Sequence, residues 1–424
     1  MKYKEIHEDI SSELKNHMEE KIEEYIEQGL SEEAAIDKTL NHMGDPLIIG
    51  KQLHKTHKPR TEWGLLTAVT VFVLVGIAAM YSLGVSNSLN YYSPFELLVD
   101  KLVAVAFGVS LAVFFYFFDY RRLEPVGRYL FLFTVIVMAG VIMFGRPVNG
   151  RPVLHLGMAR IDFMSASPYL LLISLAGIFS GWNWGGAGAT VKALVLFAAP
   201  VLLLVPTQSF YAVTLYLIVF LALALTDRPG RSQAIKLLIG TLAIAGAAIF
   251  LMFTFFAPNA AERFISFLHP YEDLEGAGYQ IVQSLEAMRS AGLWGHGLGS
   301  GLQQVPGIDT NMVFTYMVYS LGWIYGGMLI VAASFFVARL VTVATRVHDR
   351  FGSLLVTGSA AMFAVQFFWN ILMTLGFTPL DDATMPFVSH GGSQLVSQMV
   401  VAGLALSVYR RKDIIKTTQI INDN

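Results

Sequence analysis

The chain of 424 residues contains no cysteine, which excludes disulfides, thiolate metal centres and a cysteine nucleophile. Charge is scarce as well: Asp, Glu, Lys and Arg make up 14% of the residues, and 29 basic against 31 acidic side chains leave a net charge of −2. The basic residues are spread over the ends of apolar stretches and form no single basic face, so nucleic acid is not an expected partner. A secretory leader is missing from the first 60 residues, which are dominated by charged and polar side chains without an apolar run. What is abundant is hydrophobicity. Apolar residues make up 54% of the chain and mean hydropathy is +0.55, far above a soluble domain of this length. The composition predicts an all-α polytopic membrane protein.

Residues 1–60 read as a small cytosolic helical domain. Ile6, Ile10, Leu14, Met18, Ile22 and Ile26 recur at near-helical spacing among Glu and Lys; Gly29 ends that helix. Ser31 with Glu32 and Glu33 opens a second helix, and Gly44-Asp45-Pro46 stops it. The pattern resembles the helical prefix of some bacterial permeases; a solvated amphipathic tail is the plainer alternative.

From Trp63 onward about ten stretches approach the length of roughly 20 residues that a hydrocarbon core requires. They fall near 63–85, 99–119, 127–145, 166–182, 190–206, 208–226, 235–257, 311–338, 352–376 and 393–409, within a transmembrane domain spanning 61–412. Pro200, Pro206 and residues 185–188 interrupt or flank the fourth to sixth. Lys and Arg cluster at 55–60, 121–122, 228–236, 339–350 and 410–412, which places those ends and both termini in the cytoplasm, the tail 413–424 included. The stretches 146–165, 258–310 and 377–392 then lie outside. The long 258–310 loop carries Phe264, Ile265, Phe267, Leu268, Ile281, Val282 and Leu285, and is expected to pack as re-entrant or interfacial structure. Asp100 and Lys101 stand near a span end, where a long cation ordinarily reaches for the interface.

Residues 376–394 are too rich in Pro, Gly and polar groups to span lipid, because their backbone would go unsatisfied there. Their core, Pro386-Phe387-Val388-Ser389-His390-Gly391-Gly392-Ser393, resembles the Pro-Phe-Val-Ser-Tyr-Gly-Gly-Ser signature of the SEDS family, the RodA/FtsW-type membrane proteins of bacterial wall synthesis. His390 stands for Tyr, and Asp382 and Gln394 replace Gly and Ser. A second match lies in the long loop, where Glu262-Arg263, Leu268-His269-Pro270, Asp273, Gly276, Gly278-Tyr279-Gln280 and Gln283-Ser284 follow a family run, with glycines recurring from Gly292 to Gly301. The resemblance covers about residues 63–410.

That resemblance implies a glycosyltransferase that polymerises lipid II, the undecaprenyl-pyrophosphate-linked disaccharide-peptide, in the bacterial cell membrane beside a penicillin-binding-protein transpeptidase, during elongation, division or sporulation. Such chemistry needs a base at the acceptor hydroxyl and cationic stabilisation of the departing pyrophosphate, for which a divalent cation, Mg²⁺ or Mn²⁺, is the expected cofactor. The family's critical Asp matches Asn311, a neutral amide that can neither accept a proton nor hold a cation by charge; its acidic pair matches Tyr319 and Ser320. Asp309 is the carboxylate nearby. If 309–311 are extended, Asp309 and Asn311 share a side; if they are helical or open the next helix, Asp309 or Thr310 merely caps it. The candidate catalytic residues are therefore Asp309 and Asn311. The candidate substrate-binding residues are Arg263, Gly278, Tyr279, Gln280, Gln283, Pro386, Ser389, His390, Gly391, Gly392 and Ser393.

Other family positions have changed. The first outer loop and following span read Arg151-Pro152-Val153-Leu154-His155 and Phe163-Met164-Ser165-Ala166-Ser167, and the sixth span opens with Pro206-Thr207-Gln208-Ser209. Arg151, Arg160 and Arg263 fit either phosphate or lipid headgroups. His155, His269, His296 and His390 are scattered without ligand spacing, so no protein metal centre is read. Asp381 and Asp382 beside His390 suggest either a cation or proton site or a simple turn. Two readings stand against the polymerase: a non-catalytic scaffold that regulates a transpeptidase or a paralogue, and a flippase of lipid-linked precursors. The flippase reading lacks the inverted repeat that many transporters show.

Overall fold

The computed structural model describes residues 7–43, 61–86, 88–89, 95–148, 151–156, 159–186, 188–255, 264–272, 276–303 and 305–412. The prefix forms two helices, α1 (His7–Glu27) and α2 (Glu32–Met43), packed against each other, with Glu32 and Glu33 in the first turn of α2 as its charge pattern predicts.

The expected spans appear as ten helices in order. They are α3 (Trp63–Ser86), α4 (Glu96–Phe117), α5 (Gly127–Phe144), α6 (Phe163–Ser180), α7 (Ala189–Leu204), α8 (Phe210–Thr226), α9 (Arg231–Phe255), and then α11 (Val313–Arg346), α12 (Arg350–Thr374) and α13 (Gly392–Arg411). Among the described residues nine, counting α7 with its 3₁₀ extension, are long and apolar enough to cross a membrane; α8, with 17 residues, is the shorter tenth. Pro200 is accommodated inside α7. Pro206 sits in a 3₁₀ turn, Val205–Thr207, that separates α7 from α8. Ser209 then restarts the chain as a helix, its hydroxyl accepting from the Ala212 N–H at 3.0 Å.

α6, α12 and α13 are the most enclosed spans, and α4, α5 and α9 turn most of their surface outward. α4 packs along α13 at backbone distance: a Cβ on Gly403 would lie 2.6 Å from the Ala112 carbonyl oxygen. Without a hydrophobic drive between helices in lipid, such small-residue seams supply the packing.

Two connections carry structure of their own. The connection between α5 and α6 forms a three-stranded antiparallel ribbon, β1 (Arg146–Val148), β2 (Arg151–Leu156) and β3 (Ala159–Ile161), in register Val148 to Arg151 and Leu156 to Ala159. This is a small addition to an otherwise helical chain. The long loop holds α10 (Ala277–Ser290), whose Ile281, Val282, Ala287 and Met288 are buried as the expected interfacial packing requires. Phe264, Ile265 and Leu268, expected on the same apolar face, are exposed.

α11 is broken at Gly322, where φ is 82° and ψ 174°. The glycine-rich turn after α10 fills the break: His296 N–H donates to the Tyr319 carbonyl at 3.0 Å, Gly297 N–H to that of Ser320 at 2.8 Å, and Trp323 N–H to that of Gly292 at 3.1 Å. A Cβ on Gly322 would stand 2.1 Å from the Leu293 carbonyl oxygen, and one on Gly295 2.4 Å from that of Ser320. Only chain without side chains can approach this closely, which accounts for glycine at both positions.

Candidate functional site

The loop between α12 and α13 is polar in sequence and largely buried in space, with Ala383, Met385, Phe387, Val388 and Ser389 enclosed. A lysine explains how its backbone is satisfied. Lys101, in the second turn of α4 and 2% exposed, donates from Nζ to the carbonyls of Phe387 at 2.8 Å, Val388 at 3.1 Å and Ser389 at 2.8 Å. An ammonium has three protons, and all three are used. The expectation that Lys101 reaches for the interface is thus corrected: three carbonyls without helical partners solvate the cation from within. Gly76 of α3 closes the same contact, since a Cβ there would lie 2.6 Å from the Phe387 oxygen. Phe387 itself adopts φ 63°, a left-handed conformation that costs a non-glycine residue about 1–3 kcal/mol. It is held there by its N–H to Gln398 Oε1 at 2.8 Å and by stacking of its ring on Phe363.

Asp381 anchors the other end of the loop. Its buried carboxylate accepts from the Ser209 hydroxyl at 2.8 Å, the Tyr211 N–H at 3.0 Å and the Asp382 N–H at 2.8 Å. Residues 379–385 form no turn, and the Asp381 carboxylate instead ties this irregular stretch to the start of α8. Charge-assisted bonds to three donors leave it little capacity for a cation.

Residues 306–312 sit between these anchors as consecutive turns, neither extended nor helical. α11 starts at Val313, and Met312, in the capping position, makes no side-chain cap bond, so Asp309 and Thr310 do not cap the helix. The turn is stitched to the loop: His390 N–H donates to the Asp309 carbonyl at 2.7 Å and the Ser389 hydroxyl to that of Thr310 at 2.6 Å. Asn370 Nδ2 bridges the Asn311 carbonyl at 2.8 Å and the Ala383 carbonyl at 2.7 Å. The Asn311 side chain donates to the Asp381 carbonyl at 3.2 Å, and its Oδ1 lies 3.5 Å from Gln280 Nε2, which donates at 2.9 Å to the Pro306 carbonyl.

Asp309 is 5% exposed, and burial holds its carboxyl above the usual carboxylate range, offset in part by His390. Burial lowers His390 in turn; Asp309 and Asp100 pull it up and Lys101 pushes it down. The two side chains act on each other electrostatically, and their backbones are joined by the bond from His390 N–H to the Asp309 carbonyl.

The structure thus brings Asp309, Asn311, Gln280, Ser389 and His390 together, with Pro386 buried in the loop that supports them. Gly278 is buried and Tyr279 half-buried in the first turn of α10. Gln283 points into a separate groove along α10. Gly391 and Gly392 line a cavity of about 420 Å³ with Asp100 and Lys101, beside α4; Ser393 is exposed in the first turn of α13. Ser284 is structural, bonding the Thr315 hydroxyl at 2.6 Å and the Thr374 carbonyl at 3.0 Å. Arg263 and the side chains of Arg151, His155 and Arg160 lie outside the described residues. Sequence reasoning missed Lys101 and Asn370. The available signal was the cost of a polar group inside a span, which makes each such residue a candidate in its own right.

A model of the FtsW, RodA and SpoVE family, described as a cell cycle protein family, matches residues 62–414. Stage V sporulation protein E of Bacillus subtilis is 34% identical over 172 residues, 40% of this chain and just under half (47%) of that protein. Two proteins named probable peptidoglycan glycosyltransferase FtsW match over more of their length. The one from Thioalkalivibrio is 28% identical over 82% of this chain and 90% of its own, and that from Saccharophagus degradans 29% over 83% and 92%. Among solved structures, a chain of a peptidoglycan synthase complex superposes with a TM-score of 0.68 at 24% identity, covering 84% of this chain and 99% of its own. The rod shape determining protein RodA of Thermus thermophilus gives 0.61 at 23%, covering 83% and 97%. At these identities the solved structures establish the fold.

Proposed function

The chain belongs to the FtsW/RodA/SpoVE family, and on that premise we propose that this multi-pass membrane protein binds lipid II and polymerises glycan strands for the bacterial wall. The observation that carries the reading is the buried Asp309 carboxyl, set beside His390 in the turn that the Pro386–His390 loop clamps. In the reaction an acceptor sugar hydroxyl attacks the anomeric carbon of the donor. The bond to pyrophosphate breaks, and the hydroxyl proton passes to Asp309, whose pKa burial raises in the direction that strengthens a base. Asn311 cannot take that proton; its amide orients the turn through Asp381 and Gln280.

The departing pyrophosphate needs compensation. Among the described residues no group of three or more His, Asp or Glu converges on one point, and Asp381 is already committed to three donors. These residues do not build a cation cage of their own. Mg²⁺ or Mn²⁺ is proposed to arrive on the donor's phosphates, as such ions commonly do. Arg263 is kept as the candidate cation for pyrophosphate. The Lys and Arg distribution supports a cytoplasmic position for both termini, with α1 and α2 proposed as a docking domain there. A penicillin-binding-protein transpeptidase is the proposed partner, in keeping with the synthase complex among the structural neighbours.

The test is polymerisation of lipid II by the purified protein with Mg²⁺ or Mn²⁺, with and without a transpeptidase, resolving strands on a gel. Asp309→Ala is expected to abolish the strands; unchanged turnover removes Asp309 from the mechanism. A second reading has an observation behind it, because the Asn311 amide is tied on both its nitrogen and its oxygen as a structural group would be. In that reading the chain keeps the fold, makes no polymer under any metal condition, and forms a stable complex with a transpeptidase or an active paralogue.

A further inference from the structure

One face of α10 leads away from the candidate site. Gln280 bonds the turn that carries Asn311, and Gln283, Glu286 and Ser290 follow at helical spacing on the same stripe. From Gln280 to Ser290 the stripe runs about 15 Å, at about 1.5 Å per residue. Gln283, Glu286 and Ser290 line a groove of about 490 Å³, closed on its far side by Gln303 and Tyr319. The Tyr319 ring stands 4.4 Å from the His296 ring, and Ser290 Oγ lies 3.2 Å from His296 Nε2. Among the described residues Gln283, Glu286 and Gln303 make no side-chain hydrogen bond within the protein, so two amides and a carboxylate face the groove unspent.

The lining selects a ligand class by what it offers and what it withholds. No lysine or arginine lines the groove, and Glu286 repels anions, so pyrophosphate is disfavoured. The lining mixes Ala287 and Leu302 with amides, hydroxyls and a carboxylate, so an aliphatic tail would leave the polar groups unpaired. A neutral, hydroxyl-rich ligand with apolar C–H faces satisfies both the polar lining and the Tyr319 ring. We infer that the groove between α10 and Tyr319 binds a saccharide chain, holding the growing glycan as it leaves the Asn311 turn. The identity of that glycan rests on the polymerase reading above; the groove's preference for uncharged saccharide does not. Tyr319, which stands where the family resemblance implies an acidic residue, then has a role as the platform for one sugar face.

The probe is a soluble, lipid-free, uncharged oligosaccharide, the β-1,4-linked N-acetylglucosamine tetramer. It is titrated onto the full-length protein in detergent and read by saturation-transfer NMR, with strand synthesis from lipid II followed in the same preparation. Wild type is expected to bind, inorganic pyrophosphate not to compete, and Tyr319→Ala and Gln283→Ala each to weaken binding by about tenfold, the scale of one lost aromatic or amide contact. Thermal unfolding checks that each variant is folded; should Tyr319→Ala unfold, Glu286→Lys is the second variant, expected to lose the saccharide and gain pyrophosphate. Absence of binding by wild type, competition by pyrophosphate, or folded variants that bind like wild type overturns the inference. Strands made without Tyr319-dependent binding leave the polymerase reading standing and the groove assignment fallen. Tyr319-dependent binding without strands does the reverse.

Discussion

Two connecting segments, the loop between α12 and α13 and the turn after α10, are held by different means. The loop between α12 and α13 is fixed by side chains that reach it from other helices: Lys101 from α4, Gln398 from α13, Asn370 from α12, and Asp381 reaching out to α8. The turn after α10 is fixed chiefly by close backbone approach, seated directly on the broken backbone of α11 at Gly295 and Gly322, with the Ser82 and Ser88 hydroxyls accepting from the Gly299 and Leu302 N–H groups farther along. The first arrangement concentrates stability in a few buried charges and amides. The second distributes it over bonds that no single polar residue owns. A substitution that removes a group should therefore harm the first segment most, and one that adds a group should harm the second.

The largest effect is expected from Lys101→Met, which strands three buried carbonyls and frees the loop from α4. A loss on the order of 3 kcal/mol or more follows from unsatisfied buried acceptors, read as a drop in the thermal midpoint in detergent together with loss of strand synthesis. A midpoint within error of wild type would show that water or lipid headgroups reach these carbonyls, and the contrast between the segments would collapse.

Next in size is Gly322→Ala, where both the positive φ and the contact with Leu293 oppose a side chain; about 2–3 kcal/mol is expected. Gly297→Ala is its control. Gly297 has φ 99° but no atom nearer than 3.9 Å to an added Cβ, so only the conformational cost of about 1 kcal/mol applies. Equal losses at the two sites would refute close approach as the reason for glycine in α11.

The smallest effect is electrostatic. Because burial raises the Asp309 pKa, the folded state binds more protons than the unfolded one between the ordinary carboxylate value and the raised one. Stability should fall as pH rises through that window and stay lower above it. Asp309→Asn is expected to flatten this slope and raise the thermal midpoint slightly at pH 7, while strand synthesis is lost. A variant that is less stable at pH 7 would mean that the ionised carboxylate has a stabilising partner.

Much of the helical frame was legible in the sequence, since each span announces itself as an apolar run and the Pro206 break and the Ser209 restart are local signals. The eighth run was read as ending at 338, and α11 continues to Arg346, because a helix can leave the hydrocarbon without changing its hydrogen bonds. The ribbon at 146–161 was read only as a loop, although Arg146-Pro147-Val148 and Arg151-Pro152-Val153-Leu154 carry little helix propensity. The site was legible as a list of motifs and not as a place. Ser389 and His390 follow Thr310 and Asp309 by some eighty positions, and only the folded chain shows their backbone bonds. Lys101 was misread because hydropathy records that a cation stands near the end of a run, and says nothing of which face of the helix another loop covers.

The break at Gly322 also sets how deep the chemistry lies. The piece of α11 from Trp323 to Arg346 leaves the hydrocarbon beyond residue 338, so about 24 Å of it lies in a core of about 30 Å, too little to cross alone. The piece before the break, Val313–Leu321, then completes the crossing, which sets the Asp309 turn at the edge of the core. A prenyl chain can stay dissolved in its own leaflet while its sugar reacts, so the protein has no need to carry a polar head through oil.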